Sequence, residues 1–181
     1  MEDSVKLIRL MGSFLVVFVL VASQPMALLA QTQGPMTSSD VQRLEDALER
    51  YVERRKLGRV FHAPLDVVFS PTLVLQPDIF FIYRNRLNIV KDYVYGPPDL
   101  VIEVVSPDRP RRDYKDKKEK YEAHRVHEYW IVDPERKQIE VWSLKQDFYQ
   151  LAGLYTGKQF AASVLLTGFK VRLDRLFAQP W

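Results

Sequence analysis

From Asp40 onward the apolar positions fall first at helical and then at strand spacing. Val41, Leu44, Ala47, Leu48, Tyr51 and Val52 recur every three or four residues, which predicts an amphipathic helix. Ser38-Ser39-Asp40 offers capping side chains at its start. Gly58 stands where a helix-ending glycine is expected, so the helix is placed roughly from Asp40 to Leu57. The runs then become short. Val60-Phe61-His62 and Asp66-Val67-Val68-Phe69, separated by Pro64 and closed by Ser70-Pro71, read as a pair of strands.

Asp78 to Tyr83 reads as a third strand, introduced by Pro77, and Leu87 to Val90 as a helical turn. After the Gly96-Pro97-Pro98 loop, Asp99 to Val105 is apolar on both faces except for Glu103, as in a buried strand. Ser106-Pro107-Asp108 breaks it, and a helix is predicted from about Pro110 to His124, where a first-turn proline costs no hydrogen bond. Glu128 to Val132 and Ile139 to Trp142 form a hairpin across Asp133 to Arg136, with two or three weaker strands after it, around Phe148 to Leu154 and Phe169 to Leu173. Helix, strands, helix, strands in that order predict a mixed sheet in an α/β (α+β) layer fold.

The first 35 residues are a different kind of sequence. No charge occurs between Leu10 and Ser39, and Lys6 and Arg9 precede the apolar stretch Phe14 to Ala22. A basic start, a short apolar core and small residues after it resemble a secretory signal. The core is short for a spanning helix, which needs about 20 residues. Residues 1–35 are therefore set apart as a signal-like or non-domain segment with a linker, and residues 36–181 as the domain, with Met36 as an alternative start.

Composition narrows the chemistry. Apolar content is 47% and charged content 27%, ordinary for a globular chain of 181 residues. There is no cysteine, so disulfides and thiolate zinc sites are excluded. The formal net charge of +3 says less than its distribution. Between Arg109 and Lys120 seven basic residues face three acids, Asp113, Asp116 and Glu119. Such a segment can contact phosphates, with Arg111, Arg112 and Lys118 as the candidates, or can be a solvated helix face.

Glu103 is the most informative residue, because a carboxylate inside a central strand is costly unless paired or bound to a metal. Asp78 opens a neighbouring strand, and two carboxylates so placed can hold Mg²⁺, a hard cation that keeps several waters. Asp113, Lys117 and Tyr121 stand four residues apart and share one face of the predicted helix. Tyr121, Tyr129 and Trp130 are read as core rather than as base-stacking residues.

Four segments in order resemble a known family. They are Gln76-Pro77-Asp78; Pro98 to Pro107 with its Asp-Leu-Val-Ile-Glu-Val-Val; Arg112-Asp113 with Lys117 and Tyr121 at four-residue steps; and Glu128-Tyr129-Trp130-Ile131-Val132-Asp133-Pro134. This pattern is similar to the Uma-type family of restriction-endonuclease-like proteins, within the PD-(D/E)XK nuclease superfamily. The resemblance covers roughly Asp40 to Leu176. It implies a restriction-endonuclease-like core, a central mixed sheet flanked by helices. It also implies a Mg²⁺- or Mn²⁺-dependent endodeoxyribonuclease acting on DNA in the cytoplasm, with Asp78 and Glu103 as metal ligands. The superfamily places a lysine two residues after the second acid, where this chain has Val105; the resemblance assigns that role to Lys117 on the next helix. The family's usual opening segment, Tyr-Glu-Leu-x-x-Gly-like with an extra acid, is absent, so an N-terminally truncated domain is expected. Arg125 stands where the family has a glycine. A homodimer is a secondary expectation. Two other readings stay open: an inactive relative that binds nucleic acid or protein, and an exported or membrane-tethered protein using the apolar segment as anchor.

Overall fold

The computed structural model describes residues 38–106, 108 and 112–178. The signal-like segment, Pro110 and Arg111 lie outside the described residues. Helix α1 (Ser38–Arg55) forms where the apolar spacing places it. Leu44, Leu48 and Val52 are buried along one stripe, each worth about 1.5–3 kcal/mol. Gly58 is not its terminator. Lys56 takes the left-handed conformation, φ 56°. The amides of Lys56 and Leu57 reach back to the carbonyls of Glu53 and Val52 at 3.0 and 3.1 Å, the double closure of a Schellman end. Gly58 instead opens β1 (Gly58–His62). A Cβ there would stand 2.0 Å from the Ile82 carbonyl oxygen, so the glycine permits a close approach of backbones.

The expected pairing of the first two strands does not occur. β1 runs antiparallel to β4 (Ile79–Tyr83), with Val60 opposite Phe81. β2 (Val67–Ser70) belongs to a separate three-stranded sheet, between β3 (Leu73–Leu75) and β5 (Val94–Tyr95). The sequence reading missed β3 and β5, whose two or three residues are too short to show a period. A 3₁₀ turn over Arg84–Ile89 links β4 to the β5 region. The main sheet continues with β6 (Leu100–Val104), β7 (Glu128–Asp133), β8 (Gln138–Lys145) and β9 (Phe148–Thr156). Its order is β1-β4-β6-β7-β8-β9. β6 and β7 are parallel and the other neighbours antiparallel, which makes it a mixed sheet as expected.

The crossover between the parallel pair contains a π-helical segment over Arg112–Lys117 and then α2 (Lys118–Ala123). A uniform α-helix was expected there. Arg125 follows α2 with φ 62°, and the amides of Arg125 and Val126 return to Glu122 and Tyr121 at 2.9 and 3.0 Å. This second Schellman end explains why a glycine suits the position. β10 (Phe160–Ala162), β11 (Lys170–Arg172) and α3 (Leu173–Leu176) complete the domain.

Two apolar layers sandwich the main sheet. On one face Ile79, Phe81, Leu100, Ile102 and Trp130 pack with α1, α3 and the β10–β11 pair. On the other, Phe80, Ile82, Val101, Tyr129 and Ile131 pack with Tyr121 of α2 and Val67 and Val94 of the small sheet. Strand alternation puts Glu103 with Val101 and Val105 on this second face. Among the described residues no helix is long and apolar enough to cross a membrane.

Candidate active site

Asp78 and Glu103 lie on adjacent antiparallel strands. Ile79 pairs with Ile102, so one step further along the ladder sets Asp78 against Glu103. Strand alternation puts both on the face toward α2, Asp78 with Phe80 and Ile82, and Glu103 with Val101 and Val105. The Val104 amide donates to Asp78 Oδ2 at 2.7 Å, and the Asp78 carbonyl accepts from the Ala63 amide at 3.1 Å. The aspartate is thus tied to both neighbouring strands.

Glu103 has no exposure. Lys117 Nζ donates to its Oε2 at 2.6 Å, and the Tyr121 hydroxyl to its Oε1 at 2.5 Å. Lys117 is itself buried. Burial pushes the Glu103 carboxyl up to about 8, reinforced by the charge of Asp78; Lys117 and the Tyr121 hydrogen bond pull the other way. Burial and the neighbouring Glu103 likewise raise the Tyr121 hydroxyl well above its ordinary range.

Lys117 and Tyr121 are one α-helical step apart, and both reach Glu103, so that pair falls on the site as the four-residue spacing predicts. The π-helical segment before this pair widens the turn that leads into Lys117, where a uniform α-helix was expected. A second fastening holds this crossover. The Tyr114 hydroxyl donates to Asp133 Oδ2 at 2.8 Å and accepts from Gln138 Nε2 at 2.9 Å. Burial and Asp133 push Tyr114 up to about 12. The segment is therefore anchored to the far end of β7 and the start of β8.

The sequence reading missed the Tyr121 hydroxyl, treating that residue as apolar. A buried tyrosine needs a partner for its O–H, which was the available signal. It also missed two buried acids. Glu128 accepts from Trp130 Nε1, Ser163 Oγ and the amides of Val164 and Leu165, each at 2.7 Å. Asp99 faces His127 Nδ1 at 3.5 Å and accepts from the Tyr83 amide at 2.9 Å and Arg86 Nη1 at 2.6 Å; these contacts, His127 foremost, overcome burial and hold its carboxyl below the ordinary value. Both acids are fasteners for loops rather than parts of the Glu103 site.

The remaining candidates are dispersed. Arg111 lies outside the described residues, and Arg112 opens the π-helical segment. Lys118 Nζ sits 3.1 Å from the Trp142 ring centroid. Asp66, just ahead of β2, accepts from Gln76 Nε2 at 2.7 Å. The histidines lie near Glu45 (His62), Phe69 (His124) and Asp99 (His127). Tyr121, Tyr129 and Trp130 are fully buried, as core residues.

Among the described residues no three His, Cys, Asp or Glu side chains converge on one point. Mg²⁺ does not need such a cage, since one or two carboxylates with waters and substrate oxygens suffice. Two hard-oxygen acids on one sheet face fit that requirement, with one condition: Lys117 occupies Glu103 Oε2 and must yield it or share it.

A mixed central sheet with helices on its faces, two acids on adjacent strands and a lysine from the crossover helix define a nuclease-type fold of the restriction-endonuclease kind. The chain belongs to the Uma2 family, described as "Putative restriction endonuclease", whose model matches residues 27–174. The crystal structure of a protein from Anabaena variabilis, "a putative nuclease belonging to DUF820", superposes with a TM-score of 0.65 at 17% identity, over 80% of this chain and 82% of that one. At that identity the likeness concerns the fold. No match was found among curated proteins.

Proposed function

We propose that this domain is a metal-dependent DNA endonuclease that hydrolyses phosphodiester bonds in the cytoplasm. Asp78 and Glu103 hold Mg²⁺ or Mn²⁺, and Lys117 supplies the positive charge that the reacting phosphate needs. The observation that carries the reading is the buried Glu103–Lys117 contact at 2.6 Å, on the sheet face that Asp78 shares. An unpaired carboxylate or ammonium buried there would cost several kcal/mol, so each explains the other's burial.

A bound divalent cation would supply Lewis-acid neutralisation of the phosphate. The protein's own groups do the rest. Asp78 is oriented by the Val104 amide, and Glu103 by Tyr121. The Lys117 ammonium is held on Glu103 by the π-helical segment fastened at Tyr114, so it can stabilise charge that develops on the phosphoryl oxygens without reorganising. Arg111 and Arg112, just before it in sequence, and Lys118, held over the Trp142 ring, are proposed phosphate contacts.

One observation favours a second reading, a relative that binds nucleic acid without cutting it: Glu103 is fully covered and both its oxygens are engaged. Calorimetric titration with Mg²⁺, beside supercoiled-plasmid nicking, separates the two. The nuclease reading expects metal binding that Asp78→Asn and Glu103→Gln each abolish, together with Mg²⁺-dependent nicking. Plasmid binding with neither metal uptake nor nicking selects the second reading.

A further inference from the structure

On the sheet face opposite Glu103, two clefts adjoin along α1. One, of about 240 Å³, lies between α1 and Gly168–Lys170. The other, of about 370 Å³, continues toward β11 and α3. They share Ala47, Arg50 and Lys170 as walls, so they form one groove. Among the described residues that line it, none is acidic, and Arg50, Arg54, Arg55, Lys170 and Arg175 are exposed cations.

These cations differ in how far they are committed. Arg43 and Arg172 also line the groove, but Arg43 is bound to Asp40 and the Leu176 carbonyl, and Arg172 makes two 2.6 Å bonds to Asp174. Arg50 lies 3.9 Å from Asp46, with both side chains about half exposed or more, an arrangement worth little. Arg55 rests 4.1 Å over the Tyr51 ring and Lys170 5.0 Å over Phe160. Aromatic faces hold these side chains in place while leaving their hydrogen-bonding groups for an anion.

The number and spread of the exposed cations identify the anion. Arg50, Arg54 and Arg55 on α1, with Lys170 and Arg175 from the opposite wall, put five positive charges along two joined clefts that no acid lines. A single phosphate would satisfy two or three of them, whereas a nucleic-acid strand presents successive phosphates to all. We propose that this groove is a second DNA-contacting surface, holding the phosphate backbone of a duplex on the face away from the cutting site. The proposal rests on the reading of DNA as the substrate, and not on catalysis. Contacts of this kind add affinity and position without reading sequence.

The test is fluorescence anisotropy of a labelled 20-base-pair duplex with the full chain in EDTA, from 50 to 200 mM NaCl. The groove variant carries Arg50→Glu, Arg54→Glu and Lys170→Glu; a control with equal charge change carries Lys137→Glu, Lys145→Glu and Lys158→Glu. Losing three phosphate contacts should flatten the slope of log affinity against log salt by about 2.7. The groove variant should bind at least tenfold more weakly at 100 mM, with the control within threefold of the parent. Circular dichroism checks that both variants fold, and Arg54→Glu alone, expected to lose one contact's slope, serves if the triple variant does not. Equal affinity and slope in groove and control variants would overturn the proposal. So would a groove that loses inorganic-phosphate binding in the variant while duplex binding stays unchanged. Plasmid cleavage by the parent in Mg²⁺ is read separately, so a failure of catalysis leaves the binding result interpretable.

Discussion

Replacing Glu103 with Gln should change how stability depends on pH, and by a predictable amount. In the folded chain the carboxyl is raised from 4.5 to about 8, first by burial and then by Asp78. Unfolding returns it to water and to its ordinary value. Between those limits the folded state holds a proton that the unfolded state releases, so stability falls as pH rises. The sign is that of any group whose folded value is raised: its contribution is full below pH 4.5 and is lost progressively up to about 8. Each pH interval of one costs about 1.4 kcal/mol over most of that range. From pH 5 to 7.5 the loss is about 3 kcal/mol, once partial ionisation at the two ends is included.

The Glu103→Gln variant has no group to titrate at this position, so the difference between variant and parent reports Glu103 with its immediate neighbours Asp78 and Lys117 and cancels the histidines and the distant acids. Urea unfolding of both proteins in EDTA, at half-unit steps from pH 5 to 8.5, gives that difference directly. With a slope of about 2 kcal/mol per molar urea, the two midpoints should move about 1.5 M relative to each other between pH 5 and 7.5, in favour of the variant. A midpoint difference that stays constant within about 0.2 M would refute the reasoning, because it would mean that Glu103 ionises alike in both states.

Three further substitutions probe the supports. Tyr121→Phe should cost about 1–3 kcal/mol, since Glu103 Oε1 loses its 2.5 Å donor; it should also move the titration of Glu103 upward in the same urea series. Gly58→Ala should cost about 2–3 kcal/mol, read by denaturant unfolding, because its Cβ would meet the Ile82 carbonyl at 2.0 Å. Arg125→Gly should raise the melting temperature by about 2–4 °C. It relieves a left-handed arginine at φ 62°, against the loss of an exposed ion pair with Asp147.

Much of this was legible from local pattern. The β6 run with one acid inside it announced a buried carboxylate, and the Lys117–Tyr121 spacing put two side chains on its side of the crossover. What escaped depended on contacts distant in sequence. β1 and β2 are both short apolar runs, and nothing local says that β1 pairs with β4 while β2 turns into another sheet. Gly58 looked like a helix end because its real reason, the Ile82 carbonyl, lies 24 positions away. Glu128 carried a related sign, an acid heading the apolar run of β7 as Glu103 lies inside that of β6. Its partners Ser163, Val164 and Leu165 sit in a loop without any pattern of its own. The groove along α1 was hidden for a similar reason: its arginines read as the polar face of an amphipathic helix until Lys170 and Arg175 are brought beside them.

The most direct test of the central claim is a paired measurement on Lys117→Met. Mg²⁺ affinity is taken from calorimetry, and the single-turnover rate of plasmid cleavage from a quenched time course, with exposed Lys120→Met as the reference. Lys117 offers no ligand atom to a divalent cation and meets Glu103 at 2.6 Å, so its charge is expected to act on the reacting phosphate in the transition state. The account predicts metal affinity within about threefold of the parent and a cleavage rate lower by about 10²–10³, with Lys120→Met indistinguishable from the parent. Equal cleavage by Lys117→Met and Lys120→Met, or a parent that binds plasmid but never cuts it in Mg²⁺ or Mn²⁺, would contradict it.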